Sequence, residues 1–233
     1  MQLVVILDKG FGVPRTDLSA GTIAATIGGL LGRLACLHDR ALPVVLVAPP
    51  GAPPRGTGGR LQFVSVEAEG GLAQLLMAAA AHVRGEALVV FGDTSFVGDF
   101  VRWPSAPAVG VWADAPAHAP GGAFWVRTSN GRVSRIMAER EGVEPGDRAI
   151  PLLVLTREMM LAFPAEGARG AARDHVAEIA DAIRLWLEEG IAIGVVPFLG
   201  SARRVRSEWD GYVASRCVSL EARFAERRVT LLS

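Results

Sequence analysis

The stretch that most constrains the fold is the apolar run Ala87-Leu88-Val89-Val90-Phe91, which stops at Gly92-Asp93. A short continuous apolar run with neighbouring valines is typical of a central strand covered on both faces. In open α/β sheets, ligands bind at the carboxyl ends of the strands. The run therefore predicts a buried strand that delivers the Asp93 carboxylate to a ligand-binding edge.

The stretches around this run alternate between strand and helix patterns. Apolar runs predict strands over residues 3–7, 43–48 and 61–66, and three- and four-residue apolar spacing predicts helices over 21–38 and 71–83. Such alternation is the signature of a parallel sheet with crossover helices. We therefore expect residues 1–100 to form a Rossmann-like half of the kind that often binds nucleotides.

After residue 100 the pattern becomes mixed. Strands are predicted over 108–112, 124–128, 133–137, 149–155 and 191–197, and helices over 171–189 and 209–224. Asn130-Gly131 is a strong hairpin signal, Thr156 is placed to cap a helix start, and Gly190 ends the second-half helix. We expect one α/β domain over 1–233, with a mixed, mainly parallel central sheet flanked by helices.

Composition excludes several classes of partner. Lys plus Arg equals Asp plus Glu at 24 each, so no global field attracts nucleic acid or an anionic membrane. The two cysteines, Cys36 and Cys217, are far apart and are expected to be free thiols in a reducing compartment. No signal peptide or membrane-spanning run is evident. We expect a cytoplasmic protein.

Four stretches carry a family resemblance when taken together with the order of the elements. They are Gly92-Asp93-Thr94-Ser95-Phe96, Gly131-Arg132-Val133 through Glu139-Arg140, Glu178-Ile179-Ala180-Asp181, and Gly70-Gly71-Leu72-Ala73. The chain resembles the nucleotidyltransferases that join a nucleoside triphosphate to a sugar 1-phosphate, enzymes of nucleotide-sugar biosynthesis with a GT-A-like fold. The resemblance covers nearly the whole chain, and it implies a nucleotide-binding half over 1–100 and a sugar-phosphate-binding half over 101–233.

The resemblance implies roles for individual residues, with Mg²⁺ as the cofactor. The implied catalytic residues are Asp93, Arg15 and Lys9, and the implied metal ligands are Asp93 and Asp210. The implied nucleotide-binding residues are Leu7, Gly10, Gly12, Gly71 and Gly92. The implied sugar-phosphate-binding residues are Glu139, Arg140, Glu178, Asp181 and Arg204. Carboxylate oxygen is the ligand type that Mg²⁺ prefers, usually together with substrate phosphates.

Local explanations compete with several of these roles. Gly92-Asp93 is also a good turn in which Asp93 caps a backbone amide. Glu178 and Asp181 also fit the polar side of a helix. Glu139-Arg140 also fits a solvated charge pair that ends an edge strand, and Asp210 also fits a helix-start cap.

Two departures from the family pattern concern catalysis. The family's first loop is G-x-G-T-R-L followed by Pro-Lys, but here Val13 follows Gly12, and residues 17–27 contain no Lys or Arg. Lys9 or Arg15 would have to substitute from a shifted position. The family's second metal-binding aspartate is also missing from its usual place, which leaves Asp210, and a basic cluster of Arg203, Arg204 and Arg206 lies upstream of it.

Two functions therefore stay open. The first is an enzyme that consumes a nucleoside triphosphate and a sugar 1-phosphate and releases pyrophosphate. The second is a catalytically degenerate homologue that acts as a nucleotide-sensing or protein-binding regulatory subunit. The expected protein partner is a second copy of the chain or a regulatory protein. A glycosyltransferase of related fold is disfavoured, because its Asp-x-Asp metal motif is absent and Asp93 and Asp99 are too widely spaced.

Overall fold

The computed structural model describes residues 1–6, 42–48, 61–66, 71–91, 94–100, 105–112, 124–137, 147–164 and 175–204. Within these ranges no helix is both long enough and apolar enough to cross a membrane. The predicted helices over 21–38 and 209–224 lie outside the described residues.

The described residues contain ten strands, which join in one sheet. The strands are β1 (Gln2–Ile6), β2 (Val44–Ala48), β3 (Leu61–Ser65), β4 (Glu86–Phe91), β5 (Thr94–Phe100), β6 (Ala108–Trp112), β7 (Trp125–Ser129), β8 (Arg132–Met137), β9 (Asp147–Thr156) and β10 (Gly194–Arg204). The same described ranges contain three helices: α1 (Gly71–Ala80), α2 (Arg157–Leu161) and α3 (His175–Glu188).

The sheet changes character between its two halves, as the sequence predicts. Its order is β3-β2-β1-β4-β9-β6-β10-β8-β7, with β5 paired to β10. The strands β3, β2, β1 and β4 are mutually parallel, whereas β9 runs antiparallel to both β4 and β6. The mixed, mainly parallel α/β architecture predicted above is confirmed.

The second half closes on itself. The strand β9 pairs with β6, β6 with β10, β10 with β8, β8 with β7, and β7 returns to pair with β9. Closing a ring leaves fewer unpaired strand edges exposed. The hairpin that joins β7 to β8 turns at Asn130 (φ 52°) and Gly131 (φ 72°), the left-handed pair that the Asn-Gly signal predicts.

The central strands are buried on both faces. Residues of β1 alternate between two apolar clusters, with Val4 and Ile6 on one face and Leu3 and Val5 on the other. The first cluster includes the apolar sides of α1 and α3. Double burial explains why these strands have continuous rather than alternating apolar sequences.

The helix ends follow their sequence signals. The hydroxyl of Thr156 accepts a hydrogen bond from the Met159 N–H at 3.3 Å and caps α2. Beyond α3, Gly190 has φ 79°, and the Ile191 N–H donates to the Trp186 carbonyl at 2.8 Å. This is the glycine-ended helix terminus expected at that position.

Two parts of the fold differ from the sequence prediction. Residues 94–100, whose conformation was not predicted, form β5, and β10 extends past the predicted end at residue 197 to Arg204. The two differences have one cause, because β5 and the extension of β10 pair antiparallel with each other. Neither segment has a strong strand pattern of its own.

Candidate functional site

The candidate site lies where the parallel strands end. The strands β1, β2, β3 and β4 point the same way and end at Ile6, Ala48, Ser65 and Phe91. In the sequence, Leu7 follows β1 directly, and Gly92-Asp93 follows β4. The carboxyl ends of β1 and β4 therefore lie at one edge of the sheet, which is the edge where ligands bind in open α/β folds.

Gly71 begins α1 under two constraints that favour glycine. Its φ is +66°, which side-chain-bearing residues rarely adopt. In addition, a Cβ at this position would lie 3.1 Å from Oε2 of Glu178. The predicted nucleotide-binding glycine is thus in close contact with a carboxylate from the second half of the chain.

Glu178 faces inward from α3. Its Oε2 accepts a hydrogen bond from the Leu72 N–H at 2.8 Å. Only 16% of its side chain is exposed. A position on the polar side of its helix therefore does not by itself account for Glu178, since the carboxylate accepts a hydrogen bond from the Leu72 amide at the start of α1. Its sugar-phosphate-binding role stays a prediction.

The first turn of α3 also contacts the end of β4. His175 is buried, and its ring stacks on the Phe91 ring, with the centroids 5.9 Å apart and the planes inclined by 22°. Its Nδ1 lies 3.4 Å from Oε1 of Glu178. A single helical turn thus touches both the start of α1 and the residue that precedes Gly92-Asp93.

Asp181 has a different environment from its neighbour Glu178. Its carboxylate binds the guanidinium of Arg184 at 2.6 Å, and both side chains are about half exposed (45% and 52%). This environment agrees with the polar-side interpretation, and the sugar-binding role of Asp181 stays a prediction. An exposed pair of this kind contributes little to stability.

Arg204 ends β10 opposite the start of β5. In the antiparallel β5–β10 ladder, Arg204 is the partner of Thr94, and Arg203 is the partner of Ser95. Thr94 follows Asp93 directly in the sequence and is buried. The ladder therefore brings the backbone of the basic segment beside the residue next to the predicted metal ligand.

The remaining predicted site residues lie outside the described residues. They are Leu7, Lys9, Gly10, Gly12, Arg15, Gly92, Asp93, Glu139, Arg140 and Asp210. In the ranges that the structure does describe, no three His, Cys, Asp or Glu side chains group together as a metal site. Asp93 and Asp210 carry carboxylates, the donor type that suits Mg²⁺.

Two features of the site were missed by sequence reasoning. His175 has no metal-type spacing that would mark it in the sequence, although its position three residues before Glu178 puts both side chains on the same side of a helix. The Thr94–Arg204 pairing has no local signal, since it joins two stretches more than a hundred residues apart in the chain.

Comparison with known proteins identifies the fold. No family model matches the sequence, and no curated protein matches it significantly. Among solved structures, the chain is similar to the inositol-1-phosphate CTP transferase of T. maritima, with TM-score 0.65, 15% identity, and 92% of this chain and 94% of that chain covered.

Two further solved structures have the same architecture. A UDP-glucose pyrophosphorylase in complex with UDP-glucose has TM-score 0.58 and 14% identity, over 95% of this chain and 99% of that one. A CMP:2-keto-3-deoxy-manno-octonic acid synthetase in complex with CTP has TM-score 0.53 and 14% identity, over 96% and 99%. This chain therefore has the fold of the nucleotidyltransferases that its sequence resembles.

Proposed function

We propose that this chain is a Mg²⁺-dependent nucleotidyltransferase that joins a nucleoside triphosphate to a sugar 1-phosphate and releases pyrophosphate. The observation that carries the proposal is the pairing of Arg204 with Thr94 in the β5–β10 ladder. A phosphate-binding cation and a metal-binding carboxylate were predicted from separate parts of the sequence. The ladder supports their use in one site.

The proposed reaction forms no covalent bond between the substrate and the protein. A phosphate oxygen of the sugar 1-phosphate attacks the α-phosphorus of the triphosphate, a new P–O bond forms, and the bond to the β-phosphate breaks. The glycine loop at Gly10 and Gly12 would supply amide donors to the phosphates. Lys9 and Arg15 would neutralise the charge that develops on them.

The second half would hold the acceptor. Arg140 and Arg204 would bind the sugar phosphate as planar, doubly donating groups. Glu139 and Asp181 would accept hydrogen bonds from sugar hydroxyls. When bound at Asp93 and Asp210, Mg²⁺ would supply further neutralisation of the phosphates.

Pyrophosphate release tests the proposal directly. The full-length protein is incubated with Mg²⁺, each of ATP, CTP, GTP, UTP and dTTP, and a panel of sugar 1-phosphates that includes inositol 1-phosphate. We expect release with one nucleotide and acceptor pair and its loss in Asp93→Asn. Glu188→Gln, an exposed carboxylate at the end of α3, is the control that keeps activity.

A non-catalytic function is the second candidate, because residues 17–27 lack the basic residue that the family uses. In that case the chain binds a nucleotide as a sensor or as a regulatory subunit of another protein. Nucleotide binding without pyrophosphate release, from folded protein across the whole panel, would favour this function over the enzyme.

A further inference from the structure

The carboxylate of Glu178 connects the two halves of the chain at the candidate site. It comes from α3, in the half predicted to bind the sugar phosphate, and it accepts a hydrogen bond from the backbone of Leu72, in the half predicted to bind the nucleotide. The two residues are separated by 106 positions. Because the side chain is only 16% exposed, water competes weakly for this bond.

The bond satisfies a need that every helix has. The first amides of a helix have no partner within the helix, and a carboxylate placed there satisfies one of them and interacts favourably with the helix dipole. The structure describes no acidic residue in the first turn of α1. Glu178 supplies from α3 the carboxylate that α1 lacks.

The same carboxylate lies beside a glycine in a left-handed conformation. Gly71 has φ +66°, and a Cβ there would lie 3.1 Å from Oε2 of Glu178, so glycine is the residue that fits this position while Glu178 stays in place. His175 keeps the first turn of α3 in register with the sheet by stacking on Phe91. The start of α1 is therefore held relative to the end of β4.

The charge of Glu178 also limits what part of a substrate can approach. An anion already lies at the start of α1, so a triphosphate there would meet a like charge in a partly buried setting. A neutral group, such as a nucleobase or a ribose, carries no such penalty. The geometry favours the uncharged part of the nucleotide at Gly71.

We propose that Glu178 is a positioning residue: it binds the Leu72 amide so that Gly71 and the start of α1 keep the backbone conformation that receives the uncharged part of the nucleotide. The proposal rests on the proposed function for its ligand, and it departs from the role of sugar-phosphate ligand that the resemblance implies for Glu178.

The test uses Glu178→Ala, Glu178→Gln and the matched control Glu188→Ala in the full chain. Glutamine keeps an oxygen that accepts from Leu72, whereas alanine removes it. Two quantities are measured: the hydrogen-exchange rate of the Leu72 amide, and the equilibrium Kd of ATP, CTP, GTP, UTP and dTTP.

We expect Glu178→Ala to speed exchange at Leu72 and to weaken binding of the preferred nucleotide on the order of tenfold to a hundredfold. Glu178→Gln should weaken binding less, by about threefold, because a neutral acceptor keeps the hydrogen bond at roughly half of its strength. Glu188→Ala should change neither quantity. In turnover, the KM for the nucleotide should rise while the KM for the sugar phosphate stays the same.

Three results would overturn the proposal. Unchanged nucleotide Kd in Glu178→Ala with faster Leu72 exchange would show that the contact is structural only. A rise in the KM for the sugar phosphate alone would make Glu178 an acceptor ligand. Equal losses in the Gln and Ala variants would show that the charge, not the hydrogen bond, matters. Failure of the proposed function is distinguishable, because the unmodified protein would then release no pyrophosphate, whereas failure of the present proposal is seen only in the differences between the variants.

Discussion

Ile150 on β9 fills the space above Gly110 on β6 so completely that a Cβ on Gly110 would lie 2.6 Å from Cγ1 of Ile150 and 2.9 Å from its Cδ1. Ile150 is almost fully buried. The glycine is therefore required by packing between two paired strands rather than by backbone conformation.

Replacement of Gly110 by alanine should overpack this contact. We expect Gly110→Ala to lower the free energy of unfolding by about 1–3 kcal/mol, measured by urea denaturation. Gly194→Ala is the milder comparison, because its Cβ would meet the Pro107 carbonyl oxygen at 3.3 Å and the Ala108 Cβ at 3.6 Å. If the double variant Gly110→Ala/Ile150→Ala is as unstable as the sum of its single changes, the predicted contact is absent.

The β7–β8 turn should tolerate glycine but not alanine. Asn130 and Gly131 both have positive φ, of 52° and 72°. Gly131→Ala should destabilise the protein by about 1–2 kcal/mol, because a Cβ opposes the left-handed conformation. Asn130→Gly keeps that conformation accessible and is the control. Equal stability of the Gly131→Ala variant in thermal denaturation would argue against this turn.

Arg157 is expected to link α2 to the end of α1 through hydrogen bonds. Its Nε donates to the Ala80 carbonyl at 3.0 Å, and its backbone N–H donates to the Gly85 carbonyl at 2.8 Å. We expect Arg157→Ala to cost about 1 kcal/mol of stability, since it removes a cation and a hydrogen bond from a helix C-terminus. Hydrogen exchange at the end of α1 should accelerate, whereas Arg184→Ala on α3 should leave it unchanged.

Glu158 should make stability depend on acid pH. Hydrogen bonds from its own backbone amide and from the Thr156 hydroxyl lower the pKa of Glu158 from its ordinary value of 4.5. A lowered folded pKa means that the stabilisation is present above that ordinary value and is lost as the pH falls through the folded value. Thr156→Val should move the pKa upward in a carboxyl NMR titration. Thr156→Ser keeps the hydroxyl and should preserve the low value.

The charge near the first loop should matter for turnover if the proposed function holds. We expect Lys9→Met or Arg15→Met, whichever removes the group that neutralises the transferred phosphate, to lower kcat by about 10³–10⁵-fold. Arg84→Met, in the connection between α1 and β4, is the charge-matched control. Unchanged kcat in both test variants would exclude Lys9 and Arg15 as the substitutes for the missing basic residue.

Local patterns predicted much of the fold. The continuous apolar run of β4, the Asn130-Gly131 turn, the Thr156 cap and the Gly190 stop all appear where the sequence indicates. Each depends on neighbours a few residues away, so sequence patterns determine it. The predicted order of strands and helices also indicated the mixed sheet.

The candidate site was predicted less completely, because its described contacts are between distant segments. Asp181 pairs with Arg184 one helical turn away, as its helix pattern suggests. Glu178, three residues earlier, instead points into the protein and binds Leu72. Helical spacing cannot distinguish the two carboxylates, since both lie next to the apolar stripe and only the packing of α3 against α1 separates them.

By itself, the sequence determined most of the strands, turns and helix ends in the described part of this chain, because those depend on backbone sterics, capping and apolar period. Only the tertiary structure decided that Arg204 lies opposite Thr94 and that Glu178 lies at Gly71. Such pairings depend on strand register and helix packing over more than a hundred residues. Burial of the whole core selects them, and no short stretch of sequence contains that information.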